Sequence, residues 1–166
     1  MINFGDKVNF IWSIAELLRD SFKRSKYQDV ILPFTVLRRI DCVLEPTRSA
    51  VLETHNRYIG KIENLHDQLC KQSGFAFYNI SNFNFERLLE DPPNLANNLV
   101  AYINGFSDNM REVIEKFDLF NTINKLHEAG LLFLIVERFK NIDLHPISVS
   151  NFQMGTIFEE LIRRFN

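Results

Sequence analysis

The chain has 166 residues, of which 46% are hydrophobic and 13% aromatic, sixteen of these being Phe, and that composition excludes a disordered tail. A net charge of −2 argues against a free-standing nucleic-acid binder, which carries a clear basic excess. The longest apolar run, Leu131 to Val136, is far too short to span a bilayer, and the N-terminus lacks a signal pattern.

Two cysteines, Cys42 and Cys70, form no disulfide framework, so a reducing cytoplasm is the expected setting. The charge is unevenly spread. Residues 1–61 hold ten Lys/Arg against seven Asp/Glu, and residues 62–166 hold nine against fourteen. Within the first part Arg19, Lys23, Arg24 and Lys26 form a basic cluster. It suits contact with phosphate, and a solvated helix end is the simpler explanation.

In chain order, the first element is an amphipathic helix. Val8, Ile11, Trp12, Ala15, Leu18 and Phe22 recur at spacings of three and four, with Asp6 placed as N-cap and the Ser21–Ser25 region as the end. From Val30 to Leu44 the pattern is apolar nearly all round, broken mainly by Thr35, Arg38, Arg39 and Asp41, which predicts a central buried helix. Pro33 stands at its first turn or kinks it. Glu45-Pro46 ends it, because a residue before proline is pushed out of the helical region. Pro46 then opens one long, more polar helix that runs to Gly74, with Gly60 weakening its middle by about 1 kcal/mol.

Phe75 to Phe85, reading FAFYNISNFNF, is the least helical stretch and suggests an extended segment or a small hairpin. Helix resumes from Phe85 to Glu90 and stops at Asp91-Pro92-Pro93-Asn94. Further helices are expected around Leu95–Phe106, Met110–Phe117, Leu119–His127 and Leu131–Lys140. The last helix starts at a capping box, Ser150-x-x-Gln153. Met154, Ile157, Phe158, Leu161, Ile162 and Phe165 line one of its faces, and Arg163 and Arg164 suit its C-terminal dipole. The fold class is therefore all-α: an irregular multi-helix bundle, with room for one small β-hairpin, in a single helical domain spanning 1–166.

Catalytic constellations are mostly missing from the sequence. All six glycines are isolated, which excludes a phosphate-cradling loop, and no Gly-x-Ser-x-Gly elbow exists. His66 and Cys70 share a helix face, but two ligands do not make a zinc site. His55, His127 and His145 read as surface or helix-end residues rather than acid–base groups. Asp91-Pro92-Pro93-Asn94 is close to the Asp/Asn-Pro-Pro-aromatic signature that holds a flipped adenine, but Asn94 replaces the stacking aromatic. It reads instead as a helix-to-helix turn with Asn94 as the next cap. The aromatic segment 75–85 lacks the basic groove of a base-stacking platform, since only Lys71 and Arg87 flank it. Arg38 and Arg39 lie in an apolar helix, so at least one must pair with a carboxylate such as Asp41 or lie at an interface.

Three segments carry a resemblance. Asn9 to Pro46 reads NFIWSIAELLRDSFKRSKYQDVILPFTVLRRIDCVLEP, within which Tyr27-Gln28-Asp29-Val30-Ile31-Leu32-Pro33-Phe34 followed by Leu37-Arg38-Arg39 is the most telling part. Phe77 to Leu89 reads FYNISNFNFERLL, and Met154 to Ile162 reads MGTIFEELI. In this order they resemble the opening of the modification subunits of type I DNA restriction–modification systems. The resemblance implies a helical N-terminal domain followed by an α/β domain that binds S-adenosylmethionine and methylates adenine at N6. It implies as partners a specificity subunit, a second modification subunit, a restriction subunit and double-stranded DNA, with no membrane.

Relatives continue where this sequence ends at Asn166, so no catalytic, cofactor-binding or metal-binding residue is carried over to it. The expected role is an assembly and DNA-clamp domain, with Arg19, Lys23, Arg24, Lys26, Arg38 and Arg39 as candidates for DNA or subunit contact. A self-contained helical adaptor for protein partners is the alternative from another class. A small enzyme built on the four histidines ranks last, because no two candidate groups show a catalytic spacing.

Overall fold

A computed structural model describes residues 4–166 of the chain. Helix dominates it. The first helix, α1 (Phe4–Ile14), tightens into a 3-10 turn at Ala15–Leu18 rather than running on to Phe22 as one α-helix. The tighter turn keeps the stripe intact, because Val8, Ile11, Ala15 and Leu18 are still buried. Asp6 lies within the first described turn.

The central helix is α2 (Gln28–Leu44), which packs against the first, eighth, ninth and tenth helices. Its all-round apolar pattern has this cause: Val30, Ile31, Phe34, Leu37 and Cys42 are each 2% exposed or less. Pro33 sits in its second turn, buried, where its missing N–H withholds a bond from the carbonyl of Asp29 in the exposed first turn.

The long helix expected over residues 46–74 is two helices, α3 (Arg48–Tyr58) and α4 (Leu65–Ser73), packed on each other. Ile59 leaves the helical region and Gly60 takes a φ of +75°, which turns the chain back. Gly74, in the left-handed region, closes α4 with its N–H donated to the Cys70 carbonyl at 2.9 Å, as its position in the sequence suggested.

Residues 75–84 are non-helical, with bends at 75–76 and 81–82, and they do not form a hairpin with themselves. They meet the turn at Gly105–Ser107 through one antiparallel bridge, Asn79 to Phe106. The Ile80 N–H donates to the Gly105 carbonyl at 2.8 Å, and the Ser107 N–H donates to the Tyr78 carbonyl at 2.9 Å. A Cβ on Gly105 would stand 2.7 Å from the Ser81 Cβ and 2.9 Å from the Ser81 nitrogen, so this approach requires glycine.

Then come α5 (Phe85–Leu88), α6 (Leu95–Asn104), α7 (Asp108–Glu115), α8 (Leu119–Glu128) and α9 (Leu132–Lys140). Asp91-Pro92-Pro93-Asn94 is a turn between α5 and α6, as expected. Asn94 does not cap α6, however; its amide donates to the Asp91 carboxylate at 3.1 and 3.2 Å. The last helix, α10 (Asn151–Phe165), packs on α1 and α2 and begins with the predicted capping box. The Gln153 N–H donates to Ser150 Oγ at 3.1 Å, and the Ser150 N–H donates to Gln153 Oε1 at 2.9 Å. Phe34 and Phe139 stack at 5.7 Å where α2 crosses α9. Among the described residues no helix is long and apolar enough to cross a membrane.

Candidate functional site: a buried arginine pair and a lysine-rimmed cleft

Arg38 and Arg39 follow one another on α2 and are 8% and 9% exposed. Consecutive helical residues point about 100° apart, so the two guanidiniums reach different parts of one segment, the connector between α9 and α10. Arg38 donates through Nε to the Ile142 carbonyl at 3.1 Å and through Nη2 to the Lys140 carbonyl at 3.0 Å. Its Nη1 donates to Asp41 Oδ2 at 3.2 Å, so this arginine does pair with the carboxylate named from the sequence. Arg39 donates through Nη1 to the carbonyls of Leu144 and Val149, both at 2.7 Å, and through Nη2 to Asn151 Oδ1 at 2.9 Å. Carbonyls in a buried loop need donors, and a guanidinium supplies several in a fixed fork.

Around this pair the electrostatics follow burial. Desolvation raises the Asp41 carboxyl above its ordinary range, opposed by the Tyr102 hydroxyl, which donates to Oδ1 at 2.8 Å, and by Arg38. Burial and the facing Asp41 carboxylate hold the Tyr102 hydroxyl well above its own. Burial lowers Arg39 and pushes the Cys42 thiol up to about 11. The Arg38 guanidinium also lies 5.5 Å from the centre of the Phe85 ring.

The basic cluster occupies a different environment. Arg19, Lys23, Arg24 and Lys26 are all exposed on the connection between α1 and α2. Arg19 reaches Glu16 at 3.4 Å and Lys26 reaches Asp29 at 3.9 Å, each across open surface. Beside them opens a cleft of about 740 Å³, walled on its far side by the α7–α8 turn and α8. Lys23 and Lys26 line it from the cluster, and Lys116 and Lys125 line it from across. Asp29, Asp118 and Glu128 stand among these four lysines. Asp118 makes the α7–α8 turn with a φ of +53°, a conformation that non-glycine residues adopt at some energetic expense. Lys116 and Lys125 were invisible as partners of the cluster, because roughly ninety residues of sequence separate the two sides.

The family model for the HsdM N-terminal domain matches residues 7–139 of the chain. The chain belongs to that family. HsdM is the modification, or methyltransferase, subunit of type I restriction–modification systems, and the matched span contains the cleft and both arginines. No curated protein and no solved structure gives a significant match to the chain.

In this HsdM N-terminal domain the remaining candidates fall apart as chemistry. His66 Nδ1 is 3.2 Å from the Tyr78 hydroxyl and its Nε2 is 3.6 Å from Cys70 Sγ, a contact along one helix face. Burial raises the Cys70 thiol, with nearby Asp67 adding to it, which disfavours the thiolate. Among the described residues no group of three or more His, Cys, Asp or Glu is placed to hold a metal. Phe75 and Phe77 stack at 5.5 Å, away from the four cleft lysines. His145 is different: it is in neither a helix nor a helix end, and both ring nitrogens lie 2.7 Å from carboxylates, Asp143 and Glu45. Its link to Glu45 spans a hundred residues of sequence, so no local pattern announced it.

Proposed function

We propose that this domain is the assembly and DNA-clamp element of a type I modification subunit. In this reading it positions the S-adenosylmethionine-binding adenine-N6 methyltransferase domain on double-stranded DNA in the cytoplasm. Its partners are the specificity subunit, a second modification subunit and a restriction subunit. The observation that carries the reading is the exposed basic cluster where it meets Lys116 and Lys125 across a cleft, in a chain of this family. Lysines on a fixed helical scaffold are suited to phosphate as point charges, with no base readout required.

Arg19, Lys23, Arg24 and Lys26 are the phosphate candidates that remain at the surface, Arg19 and Lys26 in exposed ion pairs with Glu16 and Asp29. Arg38 and Arg39 spend their donors on internal carbonyls, Asp41 and Asn151, so their part in this function is to fix the α9–α10 connector. Each phosphate neutralised by the domain adds about 0.9 to the slope of log K against log salt concentration. Replacing the four cluster residues by Gln in the assembled modification–specificity complex should weaken DNA binding and flatten that slope. An unchanged slope would remove the cluster from the DNA path.

A free-standing helical adaptor is the second reading. The fully exposed Ile147 and the 84% exposed Phe152 are the observation that favours it, since both are apolar and suit a protein contact. Weighing the endogenous protein separates the two readings. A mass that accommodates a methyltransferase domain supports the clamp, and a mass close to 19.5 kDa supports the adaptor.

A further inference from the structure

The segment between α9 and α10 is held at its base and at its tip by different chemistry. At the base, Arg39 grips the carbonyls of Leu144 and Val149, and Lys7 on α1 donates to the Asp143 carbonyl at 2.8 Å. Residues 145–148 lie between those anchors in sequence, and Ile147 among them is fully exposed. The tip is fastened by His145. Its Nδ1 stands 2.7 Å from Asp143 Oδ1, and its Nε2 stands 2.7 Å from Glu45 Oε2 in the turn between α2 and α3.

A carboxylate offers only acceptors, and neutral imidazole has a single N–H. With one proton, one of these two contacts would set a lone pair against a lone pair at 2.7 Å. Donation at both nitrogens at once is open only to the imidazolium, so the two carboxylates favour the charged ring. The surroundings agree. Partial burial works against the charge on His145, but the bonds to Asp143 and Glu45 outweigh it and raise its pKa above the ordinary 6.5. Partial burial likewise opposes ionisation of Asp143, and the Ser148 hydroxyl at 2.6 Å together with the His145 amide and ring holds it well below the usual carboxylate range. Among the charged and titratable groups facing this turn, Glu45 and Asp143 favour the cation. Lys7, Arg39 and Arg38 bond backbone carbonyls of the connector, and Cys42, beneath it on α2, keeps its proton.

We propose that His145 is a protonation-dependent clasp that fastens the 145–148 loop to the α2–α3 corner and releases it, with Ile147, when the ring loses its proton. Closure is complete below the pKa of the open loop and is lost as pH rises through the higher pKa of the closed one. Opening stays local, because Arg39 holds Leu144 and Val149 and does not titrate in this range.

The test is an NMR titration of the 166-residue chain from about pH 6 to about pH 9, following the four histidine rings and the amide protection of Ser148 and Val149. Both amides donate to the His145 carbonyl at 2.9 Å and report on the turn itself. Their protection should fall about tenfold for each pKa unit by which closure raises His145, while core amides of α2 hold steady. His145→Gln removes the titration and should make protection at 148 and 149 independent of pH. Glu45→Gln, at a side chain 60% exposed and therefore safe for the fold, should lower the His145 pKa and shrink the step. A His145 ring that titrates at or below 6.5, flat protection in the unmodified chain, or a pH step that survives His145→Gln would each overturn the clasp.

Discussion

Two arginine-bearing regions of this domain look alike in sequence and do opposite work. Residues 19–26 carry Arg19, Lys23, Arg24 and Lys26 on an irregular surface segment, and residues 38 and 39 carry two arginines on the central helix. In the first, all four residues are exposed, and the carboxylates paired with Arg19 and Lys26 stand across open surface. In the second, six hydrogen bonds run to one connector and to Asp41, and almost no guanidinium surface is left outside. The difference is the neighbourhood. A cation beside irregular buried backbone becomes its hydrogen-bond donor, while a cation beside water stays available to a ligand.

That contrast can be broken most severely at Arg38. Arg38→Ala leaves Asp41, whose side chain is 9% exposed, without its ionic partner, and strips donors from the Ile142 and Lys140 carbonyls. Urea unfolding of the chain should show a loss of about 3–5 kcal/mol, as for breaking a buried pair. Arg39→Met keeps much of the packed stem but orphans the Leu144 and Val149 carbonyls, and a loss of about 2–3 kcal/mol is expected in the same assay. Arg38→Lys sharpens the comparison further. It keeps the charge, yet one ammonium cannot span Asp41 and two carbonyls as the planar fork does, so a loss of about 1–2 kcal/mol should remain. If Arg38→Lys is neutral, charge alone does the work and the fork is irrelevant.

How far the sequence reveals this arrangement depends on the range of each interaction. The capping box at Ser150 and Gln153, the stop at Gly74 and the buried stripe of α2 are local patterns with local causes, and each was legible. The pairing of Arg38 with Asp41 was also within reach, being one helical turn apart. The Gly60 turn was visible only as a weakness, because an isolated glycine does not say whether the helix bends back or continues. The aromatic segment was legible as the least helical stretch. Its partner, the Gly105–Ser107 turn, lies some 25 residues downstream, where Gly105 and Ser107 mark a break in the helix but do not say what packs on it. For the same reason the connector gripped by Arg38 and Arg39, the lysines facing the basic cluster, and the Glu45 side of the His145 clasp emerged only when the fold was known.

The smallest expected effect on stability is also the most informative about function. Replacing Arg19, Lys23, Arg24 and Lys26 together by Gln removes two surface ion pairs, Arg19–Glu16 and Lys26–Asp29. The side chains of the first are 72% and 70% exposed, and at 3.9 Å the second is at the outer limit of contact. Exposed pairs of this kind contribute little, so the sum over all four changes should stay under about 1 kcal/mol in urea unfolding. The same protein should lose DNA affinity in the assembled complex, with the salt slope falling by about 0.9 for every phosphate contact removed. Stability and affinity then move independently, which the buried pair cannot do: Arg38→Ala weakens the scaffold before any ligand is met. A large loss of stability in the four-residue variant would show that the surface cluster, too, is structural, and the distinction between the two regions would collapse.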